Sequence, residues 1–391
     1  MRKTGLVVLN VAVVLFFLAP PGSWFAVPRI DLEVYRLGAQ VWRSGGDLYA
    51  TLPPTSFGIR LPFTYPPVAA VLFVPFALLP WVAASIMLTC MSIAALVIVL
   101  VVVLRNLALP HKVAIRPTWL LVAALLPVAL VLEPVRETLR LGQINTLLLA
   151  LVVLDCLVAR PRWPRGVLVG FAAAVKLTPA AFVLFFLLRG DRRAALTAVL
   201  SFLACTAAGF ALNPAGSVRY WTSTVFNADR IGTPSFEGNQ SINGVLARLG
   251  IERGVLWLFL AALVAGIGCL AVRRAAHPVD ALGLNAFTLL LSSPVSWSHH
   301  WVWVLPALLA AARRRPVLAA LAAAPFLLSP HWWWPAEDGV TPWSLTLGNT
   351  YVWCALVVLG LRVRSRHAGP VVVDGVAAGE RDGDPRPPTR H

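Results

Sequence analysis

Apolar runs long enough to cross a bilayer recur along this chain, and they constrain its fold more than any other feature. They lie near residues 5–27, 66–80, 83–104, 118–132, 145–159, 166–188, 194–212, 255–272, 280–296, 299–312, 316–329 and 345–363. A helix needs about 20 apolar residues to span the hydrocarbon of a membrane. The 391 residues are 58% hydrophobic and only 13% charged, against roughly a quarter charged in soluble domains. The expectation is an all-α polytopic membrane protein, a bundle of about 10–12 transmembrane helices with both termini inside. The basic and then apolar opening, Met1–Leu18, has no clear small-x-small cleavage site, so it is taken as a retained first helix.

The net charge of +16 does not point to nucleic acid. Its basic residues sit in short clusters between the apolar runs ("MRK", "ARPRWPR", "RGDRRA", "VRRAAH", "ARRRP", "LRVRSR"), the pattern of cytoplasmic topology signals. Alternation places 213–254, 293–300 and 330–347 on the outer face. In the first half it conflicts with the charge bias. One of 66–80 or 83–104 is therefore expected not to cross fully, and 166–188, interrupted by Lys176 and Pro179, to be broken. Residues 366–391 are rich in Gly, Pro and charge and are expected to be a disordered cytoplasmic tail. Five cysteines fall in apolar runs without CxxC spacing, as buried small hydrophobes would.

Three outer loops carry the unusual chemistry. In 28–65, "IDLEVYRLGAQVWR" has helical periodicity. Ile30, Val34, Leu37 and Val41 make an apolar stripe expected to face lipid, and Glu33, Arg36, Gln40 and Arg43 a polar one. Between them lie Asp31, Tyr35, Gly38 and Trp42, with Gly38 leaving room for a ligand. The whole reads as a helix lying in the membrane interface. An acid beside aromatic rings suits a sugar, because rings stack on its C–H face while the carboxylate takes a hydroxyl.

The second loop, 213–254, offers Asn239 and Gln240, neutral groups suited to hydroxyls, and Arg230, which could hold a phosphate. The third contains "SSPVSWSHHWVW". His299 and His300 sit about 100° apart on a helix and cannot easily chelate one metal, and no HExxH or cysteine cluster accompanies them. Trp297, Trp301 and Trp303 read as an interfacial aromatic belt. The histidines read as hydrogen-bonding groups for an anionic or hydroxyl-rich ligand. Within "EPVRETLRLGQINTLLLA", Arg136, Glu137, Arg140, Gln143 and Asn145 crowd a helix boundary, and Lys176 is an intramembrane charge, functional by default.

Taken together, "IDLEVYRLGAQVWRSGGDLY", "PFTYPP", "RLGQIN", "VKLTP", "GNQSINGVLARL" and "SPVSWSHHWVW" resemble the polyprenyl-phosphate-mannose-dependent α-(1→2)-mannosyltransferases of glycosyltransferase family 87, in the GT-C superfamily. The likeness runs in order from about residue 28 to 310. It implies a GT-C catalytic domain over 1–365 and inverting transfer of mannose from polyprenyl-phospho-mannose on the outer face of the plasma membrane. The implied acceptor is a glycolipid mannoside, phosphatidylinositol mannoside ahead of lipomannan or lipoarabinomannan, and no metal is needed.

The resemblance makes Asp31 the general base, with Glu33 its rival. Because charge develops on the leaving phosphate, His299, His300, Lys176, Arg140 and Arg230 are the candidates for the donor phosphate or sugar, the histidine pair first. Tyr35, Trp42, Tyr65, Asn239, Gln240 and Trp297 become the groups for the acceptor or sugar. The competing classes are a lipid or sugar transporter, which a broken helix at Lys176 would suit, and a non-catalytic scaffold subunit.

Overall fold

The open surface of this protein is largely hydrocarbon. Leu196, Leu200, Leu203, Leu258, Phe259, Leu318 and Leu321 are each more than half exposed, an arrangement stable against lipid chains but not against water. The computed structural model describes residues 29–107, 118–334 and 339–364. The expected first helix at 5–27 and the tail at 366–391 lie outside these residues. Among the described residues everything regular is helical, apart from an isolated antiparallel bridge between Asn239 and Trp297.

α1 (Ile30–Arg43) is the amphipathic helix that the spacing predicts. The 66–80 run becomes two short helices, α2 (Pro67–Leu72) and α3 (Val74–Leu78), of 6 and 5 residues. Pro75 lacks the N–H needed to continue the first of them. Of the two neighbouring runs it is therefore α4 (Trp81–Leu107), with 27 residues, that has the length to cross.

α5 (Thr118–Val131) bends by 72° into α6 (Glu133–Leu141), and α7 (Asn145–Leu157) follows. α8 (Val167–Val175) stops at Lys176, whose φ of −146° and ψ of 125° are extended. A 3-10 turn, Thr178–Ala181, then leads to α9 (Phe182–Leu188). The break expected from Lys176 and Pro179 is present.

The second half comprises α10 (Arg192–Leu212), α11 (Pro214–Thr222), α12 (Ile242–Arg248), α13 (Val255–Arg274) and α14 (Pro278–Ser292). A 3-10 turn at Ser298–Trp303 precedes α15 (Val304–Arg314), α16 (Pro316–Leu328), α17 (Pro342–Thr346) and α18 (Thr350–Arg364). By length and composition, four described stretches can each cross a membrane, or five if the bent α5–α6 pair counts as one. The sequence runs outnumber these because proline, Lys176 and polar turns divide several of them into shorter helices.

Two local devices fix the α7–α8 corner. Asp155 is fully buried, yet satisfied. Its carboxylate accepts from the Trp163 indole at 3.0 Å and from the backbone N–H groups of Gly166 and Val169, both at 2.9 Å, capping the start of α8. One turn on, a Cβ at Gly170 would collide with the backbone of Ala198 and lie 2.6 Å from Ser201 Cβ. Glycine there lets α8 press against α10, as close helix pairs in membranes do.

Three expectations are corrected. Val34 is 5% exposed and Leu37 and Val41 pack on the core, so that stripe of α1 faces protein rather than open lipid. The space beside Gly38 is filled by the Phe63 ring, which a Cβ would strike, so it accommodates a side chain and not a ligand. Trp301 and Trp303 are buried and form no interfacial belt. Trp301 lies 5.6 Å from Tyr351 and 5.9 Å from Phe287, and Trp303 lies 4.6 Å from Phe182. Among the cysteines Cys156 is buried, whereas Cys90 is exposed on α4.

Candidate functional site

A cavity of about 630 Å³ is lined by residues far apart in the chain, among them Asp31, Tyr65, Lys176, Arg230, His299 and His300. Asp31 stands in the first turn of α1, outside the spanning helices. Burial pushes its carboxyl up to about 6, opposed by a hydrogen bond from Gln143 and by the charges of Lys176 and Arg140. Around it the Tyr35 and Tyr65 hydroxyls lie 2.9 Å apart. Both reach the Gln143 side-chain oxygen, at 2.8 and 3.1 Å.

A cationic pole faces this acid. Because α8 ends at Val175, the Lys176 side chain enters the cavity rather than the packed interior of a helix pair. Its Nζ donates to Asn145 Oδ1 at 2.9 Å, lies 3.3 Å from His300 Nε2 and stands 5.5 Å from the centre of the Tyr65 ring. An ammonium has only donors, so Nε2 of His300 accepts and the ring proton sits on Nδ1. Asn145 also donates to the His299 carbonyl at 2.9 Å, and Thr138 donates to that carbonyl at 3.1 Å. The 298–303 turn is thereby fixed against α6 and α7. His299 is buried and its Nε2 has no partner among the described residues.

The remaining wall is mostly apolar: Leu177, Ala181, Leu184, Ala265 and Leu289 line it from the α8–α9 break, α13 and α14. Arg230 joins the cavity from the 213–254 segment. One of its terminal nitrogens donates to the Tyr49 carbonyl at 3.1 Å, while its Nε is buried without a partner among the described residues. Trp297 lies in the same wall, its ring 5.7 Å from Phe236.

Other residues picked out from the sequence are not brought to the cavity. Tyr35 is fully buried behind Gln143 and Tyr65. Trp42 points away, its indole donating to the Leu212 carbonyl at 3.3 Å. Arg140 pairs with Glu137 at 2.6 Å and reaches Asp31 only through its field. Asn239 and Gln240 are fully buried and tie loops together. Asn239 accepts from Ser296 N–H at 2.9 Å, and the Gln240 amide donates to the Gly348 carbonyl at 2.8 Å. Glu33, the rival acid, accepts from the backbone of Ser56 at 2.6 Å and from its hydroxyl at 3.0 Å, facing the 47–62 loop.

Sequence reasoning noticed Gln143 and Asn145 without giving them roles and passed over Thr138. The signal was the "RLGQIN" turn, where two amides follow a helix-ending glycine. Among the described residues no group of three or more His, Cys, Asp or Glu side chains gathers as metal ligands would.

A carboxylate and an ammonium facing one cavity whose remaining wall is mostly apolar define a membrane protein suited to a ligand with a charged head and a greasy tail. The comparisons agree with that class. The profile of glycosyltransferase family 87 matches residues 63–294. A polyprenol-phosphate-mannose-dependent alpha-(1-2)-phosphatidylinositol mannoside mannosyltransferase of Mycobacterium tuberculosis is 42% identical over 366 residues, 86% of each chain. The protein of the same description from Mycolicibacterium smegmatis is 42% identical over 377 residues, 87% of this chain and 86% of its own. A phosphatidylinositol pentamannoside mannosyltransferase of M. smegmatis is 36% identical over 304 residues, 75% of this chain and 70% of its own. No solved structure matches significantly. The chain belongs to glycosyltransferase family 87. A family of transferases sets aside the transporter that a broken helix at Lys176 would also suit.

Proposed function

We propose that this protein transfers mannose, with inversion, from polyprenyl-phospho-mannose to a phosphatidylinositol mannoside, forming an α-(1→2) linkage. The observation that carries this is the placement of Asp31 and Lys176 on one cavity whose remaining wall is apolar. As the acceptor oxygen bonds to the anomeric carbon, Asp31 takes its proton. The bond from that carbon to the phosphate oxygen breaks and its electron pair leaves with the polyprenyl phosphate. Lys176 and the His300 Nδ1–H stabilise the charge gathering on the phosphate, and His299 Nε2 hydrogen-bonds a sugar hydroxyl. Arg230 adds a second cation at the cavity wall.

Tyr65 and Trp297 offer ring faces to the sugars. Leu177, Ala181, Leu184 and Leu289 border the head of the polyprenyl tail. The names of the mycobacterial relatives support both donor and acceptor. In this reading charge at the phosphate is met by Lys176 rather than by a divalent cation.

The transfer takes place on the outer face of the plasma membrane, with α1 lying in the interface. The apolar runs of the whole sequence support a bundle of about 10–12 spans. The test is transfer by purified protein given polyprenyl-phospho-mannose and phosphatidylinositol mannoside, with EDTA present. Wild type transfers mannose and folded Asp31→Asn does not. No transfer to any mannoside acceptor by folded wild type, or full activity in Asp31→Asn, overturns the assignment.

A further inference from the structure

We propose that Gln143 is a positioning residue: pinned by two tyrosines, its amide orients the Asp31 carboxylate toward the acceptor hydroxyl. This rests on Asp31 being the base and deepens that assignment.

A glutamine amide has one accepting end and one donating end. Here the accepting end is occupied. Gln143 Oε1 receives Tyr35 at 2.8 Å and Tyr65 at 3.1 Å, and the two hydroxyls are 2.9 Å from one another. Neither ring is free to drift. Tyr35 is fully buried and stacks on Phe73 with ring centres 4.2 Å apart, and Tyr65 meets Tyr35 edge-on at 5.2 Å. With the oxygen held there, the NH₂ end is the one offered to Asp31, and Gln143 and Asp31 line the same cavity. In that orientation the amide holds Asp31 lower than burial alone would. A reversed amide would set a carbonyl oxygen against the carboxylate, so acid and tyrosines select one orientation together.

The backbone brings the amide to this place. α6 ends in Gly142, with φ 71° and ψ 40°, and Gln143 N–H bonds back to the Thr138 carbonyl at 2.8 Å. A Cβ on Gly142 would stand 2.9 Å from the Cβ atoms of both Arg29 and Leu32. Only glycine allows the α6–α7 turn to lie so close to the first turn of α1. A neutral donor also suits a base. It aligns the carboxylate without the full charge of a second cation, which would lower its affinity for the proton it must take.

The experiment compares wild type, Asp31→Asn, Gln143→Leu, Gln143→Glu and Tyr35→Phe/Tyr65→Phe in the mannose transfer assay between pH 5 and 8, with folding checked by thermal unfolding. Gln143→Leu is expected to lower kcat about tenfold or more with acceptor KM little changed, and to move the acidic limb of the profile up by about one pH unit. Gln143→Glu, nearly the same shape but a second carboxyl, moves that limb further up. The double tyrosine variant loses less, because the amide remains but can turn.

If folded Gln143→Leu and Gln143→Glu both keep the wild-type acidic limb while Asp31→Asn is inactive, the positioning role is wrong and the base assignment stands. Activity in Asp31→Asn overturns both. Should Gln143→Leu fail to fold, the acidic limb of Gln143→Glu decides alone.

Discussion

Lys176 Nζ lies 3.3 Å from His300 Nε2 and 2.9 Å from Asn145 Oδ1, so one ammonium joins the break between α8 and α9 to the 298–303 turn and the start of α7. Two of its three protons are engaged by protein, which aims the third. Lys176→Met keeps the length and removes the charge. It should lower kcat about 10²-fold or more, as loss of a donor at a developing oxyanion does. Lys176→Arg should not restore the rate, since a planar fork cannot take the same three directions. Steady-state transfer assays on both variants decide the matter, and wild-type kcat in Lys176→Met would remove the ammonium from the reaction.

Asp31 titrates at about 6 in the folded protein, above its ordinary 3.8, because burial disfavours its charge. As the proposed base it acts only when ionised. Transfer should therefore fall as pH drops through about 6, approaching tenfold per unit below that. Stability responds in the opposite sense. Between the unfolded and folded values the folded state binds more protons at this site, so Asp31 destabilises progressively as pH rises through that window. Above it, Asp31→Asn should melt no lower than wild type while being inactive. A marked loss of melting temperature in Asp31→Asn at pH 8 would sink the claim.

Gly142 combines a positive φ of 71° with contacts that leave no room for a methyl group. Gly142→Ala should cost about 1–2 kcal/mol from the backbone alone, and should reduce kcat further by moving Gln143 away from Asp31. Thermal unfolding and transfer measured together separate the two effects. A stable, fully active Gly142→Ala would show that the close approach to α1 is dispensable.

Behind the histidines, fully buried Glu133 accepts from Tyr351 Oη at 2.8 Å and Trp332 Nε1 at 3.1 Å, with His331 Nε2 at 3.5 Å. Glu133→Leu orphans the buried Tyr351 hydroxyl, at about 1–3 kcal/mol, and removes the acceptor of the partly exposed Trp332 indole. It should unfold at a clearly lower temperature in detergent, whereas Tyr351→Phe loses one donor and should fall less. Equal melting of wild type and Glu133→Leu would show that the cluster contributes little.

The membrane class, the break at Lys176 and the acid on α1 were legible because each is local: an apolar run, a charge and proline within one, a helical period. What stayed hidden depends on contacts between distant segments. Asn239, Gln240 and Trp42 have the chemistry of sugar ligands, but they spend it on backbone carbonyls. Gly38 gave the signature of a vacancy that Phe63 fills. Trp301 resembles an anchor at the membrane surface until Tyr351 and Phe287 are seen around it. Gln143 and Asn145 could be noticed but not interpreted, since their roles are defined by Tyr35, Tyr65 and Lys176, which stand elsewhere in the chain.

The cavity draws Asp31 from near one end of the polypeptide and His300 from far along it, with Lys176 midway. During synthesis α1 emerges long before the 298–303 turn, so its carboxyl must wait without Lys176 and Gln143 until the intervening helices have inserted. A nascent chain halted after α9 would hold acid and lysine but not the imidazoles, and its cavity would lack the wall built by residues 292–300. The site is therefore complete only when the later half of the protein has folded against the first.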